Sequence, residues 1–248
     1  MSQPDAASPE TAIRAAVIGA GGAIGRALVA RLAADPRFAA VHALSRHPAA
    51  VADTPRVVPG LIDVGDPPSI EAAARAIATP LHLVIVATGQ LHDGERGPER
   101  ALKQLDPDWL ARSFALNTIG PALVLKAFAP LLPRQGRAAI AVLSARVGSI
   151  TDNRSGGWYG YRASKAALNM MVRCAAIEIG RTRPEALCVS LHPGTVDSGL
   201  SRPFQGHVAP DALFTPERSA AHLLDVLDGL TPAQSGRCFA WDGAEIPP

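Results

Sequence analysis

Short apolar runs alternate with helix-length stretches along nearly the whole chain, and this alternation limits the possible folds more than any other feature. Leu81–Val86 is apolar but for His82, and Ala138–Leu143 is apolar at every position. A strand is apolar on both faces when helices cover both, which is the situation in parallel sheets. Further strands are expected at Ile13–Ile18, Val41–Leu44, Val57–Val64 (interrupted by Pro59-Gly60), Leu187–Leu191 and near Arg237–Ala240. Helical signals fill the intervals: Arg26–Ala34, Ile70–Ala78, Trp109–Leu132 behind the start signal Asp106-Pro107-Asp108, Tyr159–Gly180, and a segment opened by Thr215-Pro216-Glu217. The pattern predicts an α/β chain, a doubly wound parallel sheet with helices on both faces. Residues 1–12 read as a flexible polar tail and 13–248 as a single domain, a usual size for one.

Charge and cysteine usage narrow the function classes. Lys and Arg total 24 against 22 Asp and Glu, giving a net charge of +2, and no basic stripe suggests a nucleic-acid partner. No uninterrupted apolar stretch reaches the roughly 18 residues that span a bilayer, so no membrane partner is expected. Cys174, Cys188 and Cys238 are scattered and odd in number, and the seven histidines lack i,i+4 pairing. Neither a disulfide framework nor a metal site is expected, and the cytoplasm is the expected compartment.

The turn after the first strand carries the first chemistry. Gly19-Ala20-Gly21-Gly22-Ala23-Ile24-Gly25 leads directly into the first helix. A pyrophosphate needs bare backbone N–H groups and a helix N-terminus aimed at it, and glycine allows the tight turn and close approach. Gly19, Gly22, Ala23, Ile24 and Gly25 are therefore expected cofactor contacts, and the sheet is expected to be of the Rossmann type. The alternative is a tight turn that only packs helix on strand. An NAD site would place a carboxylate about 20 residues further on. Here Ser45 and Arg46 stand at that point, a hydroxyl and a guanidinium fork suited to a 2′-phosphate, unless Arg46 is merely a solvated loop charge. NADP(H) is thus favoured over NAD(H).

Tyr161 and Lys165 lie four residues apart in Tyr-Gly-Tyr-Arg-Ala-Ser-Lys, so on a helix they share a face, whereas Tyr159 has Ala163 at that offset. A phenol titrates near pH 10, and a fixed ammonium beside it is expected to lower that value into a catalytic range.

Together these features resemble the short-chain dehydrogenase/reductase family, whose order of elements the chain follows from about Ile13 to Ala240. Ser144-Ala145-Arg146-Val147-Gly148-Ser149-Ile150, Asp152-Asn153, Gly156-Gly157-Trp158-Tyr159 and the closing Phe239-Ala240-Trp241-Asp242-Gly243 are similar to its bacterial C-factor-like and sniffer-like carbonyl reductase branch. The resemblance implies hydride transfer between a nicotinamide cofactor and a small carbonyl or alcohol substrate. It implies Tyr161 as acid/base and Lys165 as the lysine that holds the nicotinamide ribose. Asn117 matches the asparagine that keeps a water relay, and Asp63-Val64 the pair at the adenine ring. Pro193, Gly194 and Ser198 match the motif at the nicotinamide, and Ala87-Thr88-Gly89 the segment near the adenosine ribose. The two long helices resemble those that pair subunits in many family members, which implies a homodimer or homotetramer, although monomers occur in the carbonyl reductase branch.

Three departures stand out: Ala23 replaces a family glycine, Ala87 replaces an asparagine, and Ala145 occupies the place of the catalytic serine. Ser144, one residue away, is a candidate substitute, although a one-residue offset in an extended chain points to the opposite face. Ser149 is a second candidate. The departures keep another class open, a nucleotide-binding signalling or regulatory protein with weak or no catalysis. A sugar-nucleotide epimerase is disfavoured because little chain follows Ser198. Trp158 is expected either to line the substrate pocket or to pack, and Pro203–Pro210 to form a mobile substrate lid.

Overall fold

A computed structural model describes residues 13–48 and 54–248, and the expected tail at residues 1–12 lies outside them. In chain order the main elements are β1 (Ile13–Ile18), α1 (Ala23–Ala34), β2 (Phe38–Ser45), β3 (Val57–Leu61), α2 (Pro67–Ala76) and β4 (Leu83–Val86). They continue with α3 (Pro107–Phe114), α4 (Gly120–Phe128), β5 (Ala138–Leu143), α5 (Tyr159–Thr182) and β6 (Ala186–His192). The last are β7 (Thr195–Val196), β8 (Leu213–Phe214), α6 (Pro216–Gly229), β9 (Cys238–Ala240) and β10 (Glu245–Ile246).

The main sheet has the strand order β3-β2-β1-β4-β5-β6-β9-β10, parallel except for the β9/β10 pair. Chain direction across the sheet reverses between β1 and β4. Ligands of open α/β sheets bind in the crevice beyond the strand C-termini at such a switch point.

Strand alternation sends Ile140 and Val142 to one face, against Phe128 of α4 and Leu168 and Val172 of α5. Ala139, Ala141 and Leu143 go to the other, which packs Leu28 of α1 and Leu223 and Leu227 of α6. Burying each of these leucines contributes about 1.5–3 kcal/mol. The many core alanines let the helices sit close to the sheet.

The predicted helix Trp109–Leu132 is continuous from Pro107 to Leu131, but its middle, Ala115–Ile119, is π-helical. By length and composition alone this run would reach across a bilayer. In the fold its buried residues, among them Asn117, Val124, Leu125 and Phe128, face the sheet and α5. The third strand stops at Leu61 rather than Val64, and β10 and the small β7/β8 ladder add to the expected strands.

Candidate active site

The glycine turn is packed too closely for side chains. A Cβ on Gly25 would lie 2.1 Å from the Gly19 carbonyl oxygen, and one on Gly19 (φ +89°) would lie 2.9 Å from that of Ala87. The N-terminus of α1 has no side-chain cap, so the N–H groups of Ala23, Ile24 and Gly25 are open to an anion. Beside the turn, the Thr88 hydroxyl is buried without a partner, and a Cβ on Gly21 would stand 3.8 Å from Ser45 Oγ. An uncapped helix end, a cradle that a Cβ would fill and an orphaned hydroxyl fit a nucleotide diphosphate. Arg46 is exposed after the end of β2, while Ser45 is buried and its Oγ accepts the His47 N–H.

Asp63 and Val64 form the turn after β3. Asp63 Oδ1 accepts the Gly65 N–H at 2.9 Å, and the Val64 carbonyl lies 2.5 Å from where a Cβ on Gly120 would be. That contact seats the end of the π-helical stretch on the turn.

Tyr161 and Lys165 meet on α5, with Lys165 Nζ 5.9 Å from the centre of the Tyr161 ring. Nζ donates to the Leu143 carbonyl at 2.8 Å at the end of β5, and a Cβ on Gly89 would sit 3.7 Å from it and 3.6 Å from Asn117 Oδ1. Residues 87–89 therefore link the glycine turn to the lysine. Asn117, 0% exposed, accepts the Gln90 N–H and donates to the Gln90 carbonyl, both at 2.8 Å. Its Nδ2 also reaches Ser113 Oγ at 3.3 Å.

The electrostatics differ from the sequence expectation. Burial pushes the Tyr161 phenol up to about 12 rather than down, and pushes the Lys165 ammonium down to about 8. The reason is that both groups leave water, and the ammonium, held to Leu143, does not offset that cost at the phenol.

Ala145 is buried with extended backbone (φ −152°, ψ 145°), so Ser144 and Ala145 point to opposite faces. Ser144 is 4% exposed, and its Oγ has no partner. Ser149 Oγ accepts from the Asp152 N–H and donates to the Pro248 carbonyl, so it is committed to the chain's end. A Cβ on Gly148 would touch Lys165 Cβ at 2.9 Å, which seats the turn after Ala145 directly on α5.

Aromatic rings stand beside Tyr161. Trp158 lies edge-on to it, with centroids 6.3 Å apart, and to Phe204 at 5.1 Å. His92 meets Phe204 at 5.9 Å, and its Nε2 is 2.9 Å from the Gly199 carbonyl. The expected lid is built of short 3₁₀ turns, Arg202–His207 and Pro210–Ala212, and Phe204 anchors it on Trp158. Trp158 thus both packs and borders the tyrosine. In the segment expected at the nicotinamide, the Pro193 carbonyl accepts from Ser219 Oγ at 2.8 Å, and Gly194 (φ +79°) leaves room for the Phe214 ring. Ser198 Oγ lies 3.5 Å from Ser201 Oγ. Gln90, His92 and Glu99, all in the β4–α3 connection, are site residues that no local pattern announced.

A family model described as short chain dehydrogenase matches residues 14–208. The chain belongs to the short-chain dehydrogenase family. It is 40% identical to C-signal of Myxococcus xanthus over 148 residues, covering 59% of this chain and 83% of that one. It is 37% identical over 190 residues to 1-hydroxy-2-glutathionyl-2-methyl-3-butene dehydrogenase of Rhodococcus sp. strain AD45, covering 75% and 78%. Among solved structures, the NADPH-bound carbonyl reductase from chicken fatty liver superposes with a TM-score of 0.82 at 27% identity, over 95% and 94% of the two chains. Carbonyl reductase Sniffer of Drosophila melanogaster shares the fold, with a TM-score of 0.79 at 22% identity over 95% and 99%. This short-chain dehydrogenase therefore stands among oxidoreductases and carbonyl reductases on the doubly wound scaffold that its sequence implies.

Proposed function

We propose that the chain is an NADP(H)-dependent reductase of small, moderately apolar carbonyl compounds, working in reverse on the alcohols. The observation that carries this reading is Lys165 Nζ and Tyr161 sharing one face of α5, joined to the glycine turn through residues 87–89. The N–H groups of Ala23, Ile24 and Gly25 hold the pyrophosphate, Ser45 and Arg46 the 2′-phosphate, and Asp63, Val64, Ala87 and Gly89 border the adenosine. Pro193, Gly194 and Ser198 border the nicotinamide, and Lys165 holds its ribose. Nicotinamide bound there would supply the hydride that the carbonyl carbon needs. Tyr161 gives its proton to the carbonyl oxygen, completing the alcohol; with a phenol near 12, the proton is in place throughout the neutral range. Asn117, locked on Gln90, keeps the path behind Lys165 open for re-protonation. Trp158 and Phe204 exclude water from the reacting carbonyl. The NADPH-bound chicken structure supports the cofactor assignment.

The chain's three free thiols support a cytoplasmic setting. Ile119, Met170 and Ile177, exposed on the long helices, support assembly into a homodimer or homotetramer.

Tyr161→Phe is expected to bind NADPH as tightly as wild type, by fluorescence titration, and to lose at least 10³-fold of NADPH oxidation across a panel of aldehydes and ketones. Retained turnover in the Phe variant overturns the assignment. One observation favours a second reading, a nucleotide-binding signal protein with little catalysis: Ala145 removes the usual donor in a chain 40% identical to C-signal. A wild type that binds NADPH yet reduces nothing in the panel would select it.

A further inference from the structure

The first turn of α5, which carries Tyr161, is held from outside the helix. Its N-cap residue, Trp158, makes no side-chain cap bond. The acceptor comes instead from the β4–α3 connection, 61 residues earlier: Glu99 Oε2 takes the Gly160 N–H at 3.1 Å, and the Glu99 carbonyl takes the Trp158 N–H. Glu99 is 3% exposed, its Oε1 is buried without a partner, and no cation lies within ion-pair distance of it among the described residues. Burying a carboxylate without a cation is unfavourable unless a dipole offsets it, and the N-terminus of the 24-residue α5 is such a dipole.

The backbone there needs holding. Gly156, Gly157 and Trp158 are successively left-handed (φ +62°, +64° and +52°), and Trp158 is the one non-glycine residue at positive φ among the described residues. That conformation persists only where surrounding contacts fix it. A Cβ at position 160 would come within 2.9 Å of Glu99 Oε1 and 3.1 Å of Leu110 Cδ2, so glycine there is the counterpart of the buried carboxylate. Between these two bonds the Trp158 ring is set edge-on to Tyr161 and to Phe204.

We propose that Glu99 is a positioning residue: by accepting the Gly160 N–H and, through its carbonyl, the Trp158 N–H, it fixes the first turn of α5 and so the placement of Tyr161 and the Trp158 ring. The catalytic half of this inference rests on Tyr161 being the proton donor; the structural half does not. The same connection clamps Asn117 through Gln90 and meets the lid through His92.

The test uses the full chain as wild type, Glu99→Ala, Glu99→Gln and Glu99→Asp. Glutamine keeps an accepting oxygen at the same reach, whereas aspartate keeps the charge and withdraws it. Two quantities are read: amide hydrogen exchange of the segment 156–163, and NADPH oxidation with benzaldehyde alongside the NADPH Kd. Glu99→Ala is expected to exchange at least tenfold faster in that segment and to lose at least tenfold in kcat, with the NADPH Kd within twofold of wild type. Glu99→Gln restores both to within about threefold. Glu99→Asp behaves like the alanine variant and serves if alanine does not fold. Unchanged exchange and kcat in Glu99→Ala or Glu99→Asp, or a glutamine variant as impaired as aspartate, overturns the proposal. Faster exchange in a protein whose wild type reduces no carbonyl instead overturns the reductase reading and supports the hold on α5, so the two failures are distinct.

Discussion

At Lys165, the proposed function and stability oppose each other. The side chain is 2% exposed, and burial holds its ammonium near 8 instead of the usual 10.5. Between those values the unfolded chain keeps a proton that the folded chain has released, so this residue's contribution to stability rises with pH across that window. Below pH 8 the folded protein carries the full cost of a buried charge. Lys165→Met should therefore be more stable than wild type at pH 7 by about 1–3 kcal/mol, the advantage shrinking as pH rises from 8 towards 10.5. Urea unfolding at pH 7, 8 and 9.5 measures it; equal stability at pH 7 would mean that the amine's bond to Leu143 already offsets its burial. Twenty residues earlier, Ala145 poses the converse case, a position lacking a donor where the family has a serine. A missing oxyanion donor costs about 2.7–4 kcal/mol in the transition state. Ala145→Ser should raise kcat on the order of 10²-fold with little change in the NADPH Kd. An unchanged kcat in steady-state assays would show that the unpartnered Ser144 hydroxyl or another group already serves.

Elements were legible in the sequence where their determinants are local. Tyr161 and Lys165 share a face because i,i+4 geometry brings them together in any helix, and the glycine turn could be read because the contacts that forbid a Cβ at Gly25 come from residues only a few positions away. The apolar runs of β4 and β5 gave the sheet, since full burial on both faces leaves no other pattern. What escaped depends on distant partners. Periodicity gave one helix from Trp109 to Leu132, but it cannot show that Ala115–Ile119 widens into a π-turn at Asn117, where the side chain spans to Gln90, 27 residues away. Such turns recur at functional sites because the extra residue re-aims a side chain. Glu99 escaped for the same reason: nothing within its own segment marks it as the cap of a helix 61 residues downstream. The phenol's shift was misread because spacing reports a neighbouring ammonium but not the water that both groups lose. The two residues of β10 are too few for alternation to register.

Across the whole molecule, the proposed cofactor path runs from the end of β2, through the uncapped N-terminus of α1 at the β1/β4 reversal, to Lys165 on α5. A ligand spanning those elements binds the folded chain alone, so it stabilises by mass action: about 2.7 kcal/mol at a concentration 100 times its Kd. For a chain of this length each kcal/mol moves Tm by about 2–4 °C. NADPH at 100 Kd should therefore raise Tm by roughly 5–11 °C. NADH at the same concentration lacks the phosphate that Ser45 and Arg46 are proposed to hold, and should raise it less. Arg46 is exposed, so Arg46→Ala should leave the Tm of the free protein within a degree or so, as exposed substitutions usually do. Its effect should appear only with ligand, as a fall of the NADPH shift towards that of NADH. Differential scanning fluorimetry on the two proteins with each nucleotide separates the possibilities. If NADH protects wild type as well as NADPH does, the preference for NADP(H) must be given up. If instead the gap survives in Arg46→Ala, the preference stands but the guanidinium is a solvated charge that does not confer it, and in either case the fold and the Tyr161–Lys165 pair stand unaffected.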